Sequence, residues 1–319
     1  MNLGSDIQQA IDCLINAKLV AIPTETVYGL AANAFDVNAV AKIFSVKNRP
    51  QFNPLIIHSN SLQRFEKWGI AITDKAKKLA EKFSPGPLTY VLPKSQIIPD
   101  LVTAGHQSVA IRIPKHPLTQ QLLSKIDFPL AAPSANPSGY VSPTTAQHVA
   151  QQLKQKVCYI LDGGPCKVGI ESTILSLVDT TPVLLRYGSI TVEEMEAELN
   201  QKIDVSKVVN NDNPLAPGML GKHYATKTPL IIGHNIDFKV DDLNKIAAIR
   251  LKNYLPQIPQ QNQILLSPEG SLETAAANLY TAMRNLDDMQ FDLIIAEPMP
   301  SKGLGIAIND RLKRAAAKD

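Results

Sequence analysis

Short apolar runs that stop at a proline set the architecture of this chain. Leu19–Ile22 ends at Pro23, Pro54 opens the run Leu55–His58, and Ser108–Ile113 ends at Pro114. Such runs read as buried strands, and a proline at the boundary fixes φ and has no N–H to pair. Leu88–Leu92, Phe128–Ala132, Cys158–Leu161, Thr173–Val178 and Val183–Arg186 continue the series. Between them lie segments with a 3.6-residue apolar period. One has Ser5 as its cap and Ile7, Ala10, Ile11, Leu14 and Ile15 on one face; another is Asp36–Ser45, with Val40, Ile43 and Phe44 inward. Strands outnumber the intervening helices, and several follow one another directly. An α/β fold built on a twisted mixed β-sheet with packed helices is expected, rather than a purely parallel sheet.

From residue 201 to 228 the pattern changes, and Asn210, Asn211, Asp212, Asn213, Pro214, Pro217, Gly218 and Gly221 cluster without apolar periodicity. That is linker chemistry. Beyond it, Leu230–Ile232, Ile246–Ile249, Ile264–Leu266 and Leu293–Ile295 read as strands, Ser271–Leu286 as a helix and Asp310–Lys318 as a terminal helix. This spacing predicts a smaller Rossmann-like βαβ unit. The division is residues 1–204, a linker at 205–228, and 229–319, and 319 residues suit two domains.

Composition closes off other classes. With 45% hydrophobic and 19% charged residues, the chain has material for a full core and is not a disordered one. Cys13, Cys158 and Cys166 form no C-x-x-C, which fits a reducing cytoplasm and speaks against a disulfide framework or a cysteine zinc module. No apolar run approaches the roughly 18 residues that span a bilayer, so no membrane partner is expected. The formal charge of +3 is small for a protein that wraps a polyanion. The six histidines are scattered, so a metal cage is not expected. The chain has no phosphate loop, no dinucleotide fingerprint and no G-x-S-x-G or H-E-x-x-H.

Polar residues instead follow the apolar runs, where open α/β sheets place their sites. Lys47 and Arg49 lie two apart before Pro50; in an extended segment both would face one spot, a point charge beside a planar fork suited to a polyphosphate. Ser134 and Asn136 repeat that spacing with neutral groups. Arg112 interrupts an apolar strand and needs a partner, either an internal carboxylate or that of a ligand. Thr26 and Ser172 read equally as strand-end turn formers, and His58 as an edge histidine.

Taken in order, Pro23-Thr24-Glu25-Thr26-Val27-Tyr28-Gly29-Leu30, Lys47-x-Arg49 and Ser134-x-Asn136 closely resemble the YrdC-like family, whose members are L-threonylcarbamoyladenylate synthases. The resemblance covers roughly residues 7–195. Gly303–Arg311 and the linker Pro217-Gly218-Met219-x-x-Lys222-His223-Tyr224 are similar to the second domain and linker of the longer form. Asn48 stands where the family often has glycine, Ser176 where an aspartate is common, and Leu220-Gly221 where a basic and aromatic pair is usual.

The resemblance implies a nucleotidyltransferase that joins L-threonine, bicarbonate and ATP into threonylcarbamoyl-AMP and pyrophosphate. A threonylcarbamoyl transferase complex would then use the product on a tRNA adenosine. It places Thr26, His58, Arg112, Ala132 and Ser172 around threonine, with Arg112 on the amino-acid carboxylate. Arg49, Asn53, Ser108, Ser134, Asn136, Ser142 and Arg186 would contact ATP. Lys47 and Arg49 would serve the reacting phosphates, and Mg²⁺ is expected with the ATP. Lys222, His223 and Tyr224 are candidates for a lid over the nucleotide, against a plain tether. Two alternatives of other kinds are an RNA-binding YrdC-like module without ATP turnover and carbamoyl transfer as in hydrogenase maturation. The low charge counts against the first, and the cysteine count excludes the zinc-finger segments that accompany the second.

Overall fold

The computed structural model describes residues 2–206, 208, 214–219, 221, 223–234 and 242–317. Its strands are β1 (Asn2–Gly4), β2 (Val20–Ile22), β3 (Gly29–Asn33), β4 (Ile56–His58), β5 (Leu88–Pro93), β6 (Ser108–Arg112) and β7 (Leu130–Ala131). There follow β8 (Tyr159–Leu161), β9 (Thr173–Ser176), β10 (Val183–Arg186), β11 (Leu230–Ile232), β12 (Ile246–Arg250), β13 (Gln263–Leu265) and β14 (Leu293–Ala296). The first ten form one mixed sheet in the order β1-β8-β2-β3-β7-β4-β6-β5-β9-β10, and the last four a parallel sheet in the order β11-β14-β12-β13. This is the mixed sheet plus small parallel unit that the run pattern predicts.

The helices are α1 (Ile7–Ile15), α2 (Val37–Lys47), α3 (Leu62–Lys67), α4 (Asp74–Phe83), α5 (Asp100–Thr103), α6 (Pro117–Ser124), α7 (Ala146–Leu153), α8 (Val192–Leu199), α9 (Leu272–Asp288) and α10 (Leu304–Ala316). Caps decide their limits. Asp6, not Ser5, caps α1, its Oδ1 accepting from the amides of Gln8 and Gln9. Helix α2 runs on through Lys47 and stops at Asn48, whose φ of 51° is left-handed. Asparagine and glycine both tolerate that conformation, so Asn48 fills a glycine's place without strain. Lys47 is therefore helical, and the extended geometry expected of Lys47 and Arg49 does not form.

Three other expectations are corrected. Strand β3 follows the buried Pro23–Tyr28 turn, although small residues such as Ala31 and Ala32 carry little strand signal. Helix α10 begins at Leu304 after Gly303, six residues before the expected Asp310. Cys13 and Cys158 are joined, with Cα atoms 6.4 Å apart, tying α1 to the chain just before β8. Their separation of 145 residues gave that pairing no local signal.

The central strands have two buried faces. Leu30, Ile57, Tyr90 and Ile111 pack with Val40 and Ile43 of α2 and Leu79 of α4. On the other face Ile56, Val91, Ala110, Ile174 and Leu185 are covered by Ala216 and Met219. Each large apolar side chain so buried contributes roughly 1.5–3 kcal/mol. A stretch that reads as linker thus closes one face of the sheet and reaches the site.

Candidate active site

The turn between β2 and β3 is held by Thr24. Its hydroxyl donates to the Val27 carbonyl at 2.6 Å, accepts from the amides of Thr26 and Val27, and lies 2.8 Å from Thr26 Oγ1. Parallel pairing of β4 with β6 sets His58 beside Arg112. Arg112 Nη2 donates to Glu25 Oε1 at 2.7 Å and to Thr26 Oγ1 at 3.0 Å, while Nε donates to the Gly86 carbonyl. Glu25 Oε2 accepts from the Lys115 amide. The two partners left open for Arg112 thus resolve to an internal carboxylate, with Nη1 making no hydrogen bond among the described residues. Burial and the Arg112 charge push His58 down to about 3, so its ring is neutral.

Lys47, Arg49 and Arg186 are all buried. Lys47 Nζ, at the last turn of α2, donates to the carbonyls of Ser134 and Asn136. After the turn at Asn48, Arg49 donates to the Asn53 carbonyl, to Asn53 Oδ1 at 2.6 Å and to the Pro54 carbonyl. Arg186, at the end of β10, donates to Ser172 O, Ser172 Oγ and Pro217 O, each at 3.0 Å. Burial lowers Lys47 well below its ordinary value, and the Arg49 charge adds to this. Arg49 falls to about 9 through burial and the Arg186 charge.

These groups surround a cavity of about 50 Å³ lined by Arg49, His58, Arg112, Ala132, Ser134, Glu171, Arg186, Pro217, Gly218, His223 and Tyr224, among others. Thr26, Asn53 and Ser172 bond to the lining arginines, Lys47 reaches the wall through Ser134, and Ser142 Oγ bonds Glu171 Oε1 at 2.5 Å. Asn136 anchors the loop, its Nδ2 donating to the carbonyls of Pro137 and Tyr140. Ser108 stands apart, at the opposite end of β6 from Arg112 and paired with Pro93. Of the lid candidates, His223 and Tyr224 line the cavity, and Lys222 lies outside the described residues.

The space is small beside the roughly 300–1,000 Å³ of usual ligand pockets, and Pro217, Gly218, His223 and Tyr224 from the linker stretch form part of its wall. Among the described residues three buried polar atoms around the site have no hydrogen-bond partner: Asn53 Nδ2, Asn136 Oδ1 and His223 Nδ1. An orphan of this kind costs about 1–3 kcal/mol unless water or a ligand satisfies it.

Glu171 was not among the residues singled out, nor were its partners in the second unit. Its carboxylate accepts from Ser142, from Tyr280 Oη at 2.8 Å and from Arg311 Nε at 2.9 Å. Burial pushes Glu171 up, but the charges of Arg311 and Arg186 and these hydrogen bonds outweigh it and hold the group at about 2. The sequence did carry a signal: Ile308, Arg311 and Leu312 share the inner face of α10, so Arg311 is a cation on an apolar stripe.

Comparison with known proteins bears on this geometry. Residues 12–188 match the Sua5/YciO/YrdC family model, described as telomere recombination, and residues 190–317 match the C-terminal domain model of threonylcarbamoyl-AMP synthase. The chain belongs to the Sua5/YciO/YrdC family. The threonylcarbamoyl-AMP synthase of Bacillus subtilis is 41% identical over 320 residues, covering 97% of this chain and 92% of that one. That of Pyrococcus abyssi is 39% identical, covering 97% and 94%. The P. abyssi Sua5 crystal structure complexed with L-threonine superimposes with a TM-score of 0.89 at 38% identity, over 99% of this chain and 97% of that one. The two-domain form of the Sua5 family thus extends along nearly the whole chain. Among the described residues no helix is long and apolar enough to cross a membrane.

Proposed function

We propose that this site makes threonylcarbamoyl-AMP from L-threonine, bicarbonate and ATP, supplying a tRNA modification. The observation that carries the proposal is the charge balance of the cavity. Among the described residues Arg112 is paired with Glu25 and Glu171 with Arg311, whereas Lys47, Arg49 and Arg186 have no carboxylate partner. Three buried cations left without counter-charge suit a triphosphate. Such an anion would also reverse the burial penalty on Lys47.

Arg112 would present Nη1 to the threonine carboxylate, with Thr26, His58, Ala132 and Ser172 around the rest. The relative solved with L-threonine supports that side of the site. The threonine amine forms a bond to the bicarbonate carbon, releasing water and leaving a carbamate. A carbamate oxygen then bonds to the α-phosphorus of ATP as the bond to pyrophosphate breaks. Carboxylate, carbamate and triphosphate repel one another, and Lys47, Arg49, Arg112 and Arg186 would offset that repulsion while holding the partners in line. Asn53, Ser134, Asn136 and Ser142 would add neutral contacts to the nucleotide.

Among the described residues no cluster of histidine, cysteine or carboxylate side chains forms a metal cage. Mg²⁺ brought in with ATP would be held by phosphate oxygens and water. The product is a mixed anhydride open to hydrolysis, and His223 and Tyr224 over the cavity would shield it until a threonylcarbamoyl transferase complex consumes it.

Pyrophosphate release tests the assignment. Release from ATP should require threonine and bicarbonate together; release with either absent, or RNA binding without turnover, would contradict it.

A further inference from the structure

The second unit reaches the cavity through a few buried side chains. On α9, Tyr280, Arg284 and Asp287 lie at i, i+4 and i+7 and share one face. Arg284 donates to the carbonyls of Val141 and Ser142, Asp287 accepts from Tyr140 Oη at 2.6 Å, and Tyr280 donates to Glu171. Gly169 makes the approach feasible: a Cβ there would lie 2.4 Å from Ala277 Cα and 2.5 Å from Ala276 O. From α10, Arg311 is fully buried, bonded to Glu171, to Asp310 and to the Tyr187 carbonyl, with its guanidinium 5.2 Å over the Tyr224 ring.

Glu171 is where this contact bears on chemistry. It precedes Ser172, which holds Arg186 through both its carbonyl and its hydroxyl. Glu171 and Arg186 line the same cavity and feel each other's charge. A buried carboxylate takes a cation wherever one is available. With Arg311 docked, Glu171 is satisfied and Arg186 points its charge at the cavity without a carboxylate of its own. Without Arg311, Arg186 is the remaining cation whose charge Glu171 already feels, and the nucleotide would lose it.

We propose that Arg311 is a positioning residue for the nucleotide: by taking Glu171 it leaves Arg186 free for the triphosphate, so docking of the second unit arms the site. This rests on the synthase assignment only in naming the anion. The test therefore reads nucleotide binding directly, as the dissociation constant of a non-hydrolysable ATP analogue, alongside KM values in the pyrophosphate assay. Arg311→Gln should weaken analogue binding and raise the ATP KM about tenfold or more, with a much smaller change in the threonine KM. The double variant Glu171→Gln plus Arg311→Gln removes both charges of this pair, so neither partner is left as a buried ion without the other. It should return analogue affinity to within about threefold of the parent, because nothing then competes for Arg186.

A double variant no better than Arg311→Gln would overturn the proposal, as would wild-type affinity in a folded Arg311→Gln. Should the single variant fail to fold, Arg311→Lys keeps the charge but loses the fork and should show a smaller defect, again relieved by Glu171→Gln. Analogue binding that follows this pattern without threonine-dependent pyrophosphate release would sink the synthase assignment and leave the role of Arg311 standing.

Discussion

Arg112 and Glu25 face each other at 2.7 Å, both buried, and the arginine also lines the cavity, with Nη1 in no hydrogen bond among the described residues. A single guanidinium thus serves the fold and is placed to serve the ligand of the proposed reaction. Arg112→Ala should raise the threonine KM more than tenfold and change the ATP KM by less than about threefold. It should also cost about 3–5 kcal/mol of stability, since Glu25 is left buried and alone. Steady-state kinetics and thermal unfolding check both, and an unchanged threonine KM would refute the threonine-side role.

Arg49 also lines the cavity, held there by Asn53 and Pro54 rather than by a carboxylate. Arg49→Ala should therefore damage ATP dependence first, with the ATP KM rising about tenfold or more and the threonine KM largely kept. A defect confined to threonine in the same assays would contradict the sorting of the two arginines.

Gly218 lines the cavity with φ of 86°, and a Cβ there would come within 2.8 Å of Arg186 Cδ. Gly218→Ala combines backbone strain of about 1 kcal/mol with displacement of Arg186. Nucleotide binding, followed by calorimetry with an ATP analogue, should weaken several-fold. Unaltered binding would show that the lid and Arg186 are independent.

Stability should fall on acidification above the usual carboxylate range. Burial, with the Arg112 charge, holds His58 at about 3, and burial holds His223 at about 3, both below the ordinary 6.5. Between these values the unfolded chain binds the protons and the native one does not, so stability rises with pH from about 3 to 6.5 and is complete above it. Glu171, at about 2 against 4.5, acts in the same direction lower down. Melting temperatures from pH 7 to pH 4 should decline steadily from about 6.5; a flat profile would contradict native neutral histidines.

Most strands and helices were legible because their apolar periods are local, whereas β1 and β3 carry no such period. Arg112 was legible as a cation in an apolar run, and Arg311 carried the same mark on α10. Lys47 and Arg49 lie close enough to feel each other's charge but not in the extended geometry expected, because the left-handed turn at Asn48 depends on where α2 stops. Glu25 and Glu171 escaped notice since their partners lie 87 and 140 residues away, and no spacing rule spans such distances. The linker hid its role in the same way. Ala216 and Met219 show no period, yet they complete a core whose other half is strand residues.

The partnership of Glu171 with Arg311 also sets an order of events during synthesis. The strands that enclose Glu171 are complete once β10, ending at Arg186, has been made. The cation that settles its charge lies in the last helix of the chain. Until α10 has been made, a nascent first domain must leave that carboxylate wet or let it draw Arg186 away from the cavity. Its final closure therefore waits for α10, and a chain cut short before Arg311 would be impaired in the domain that was made first.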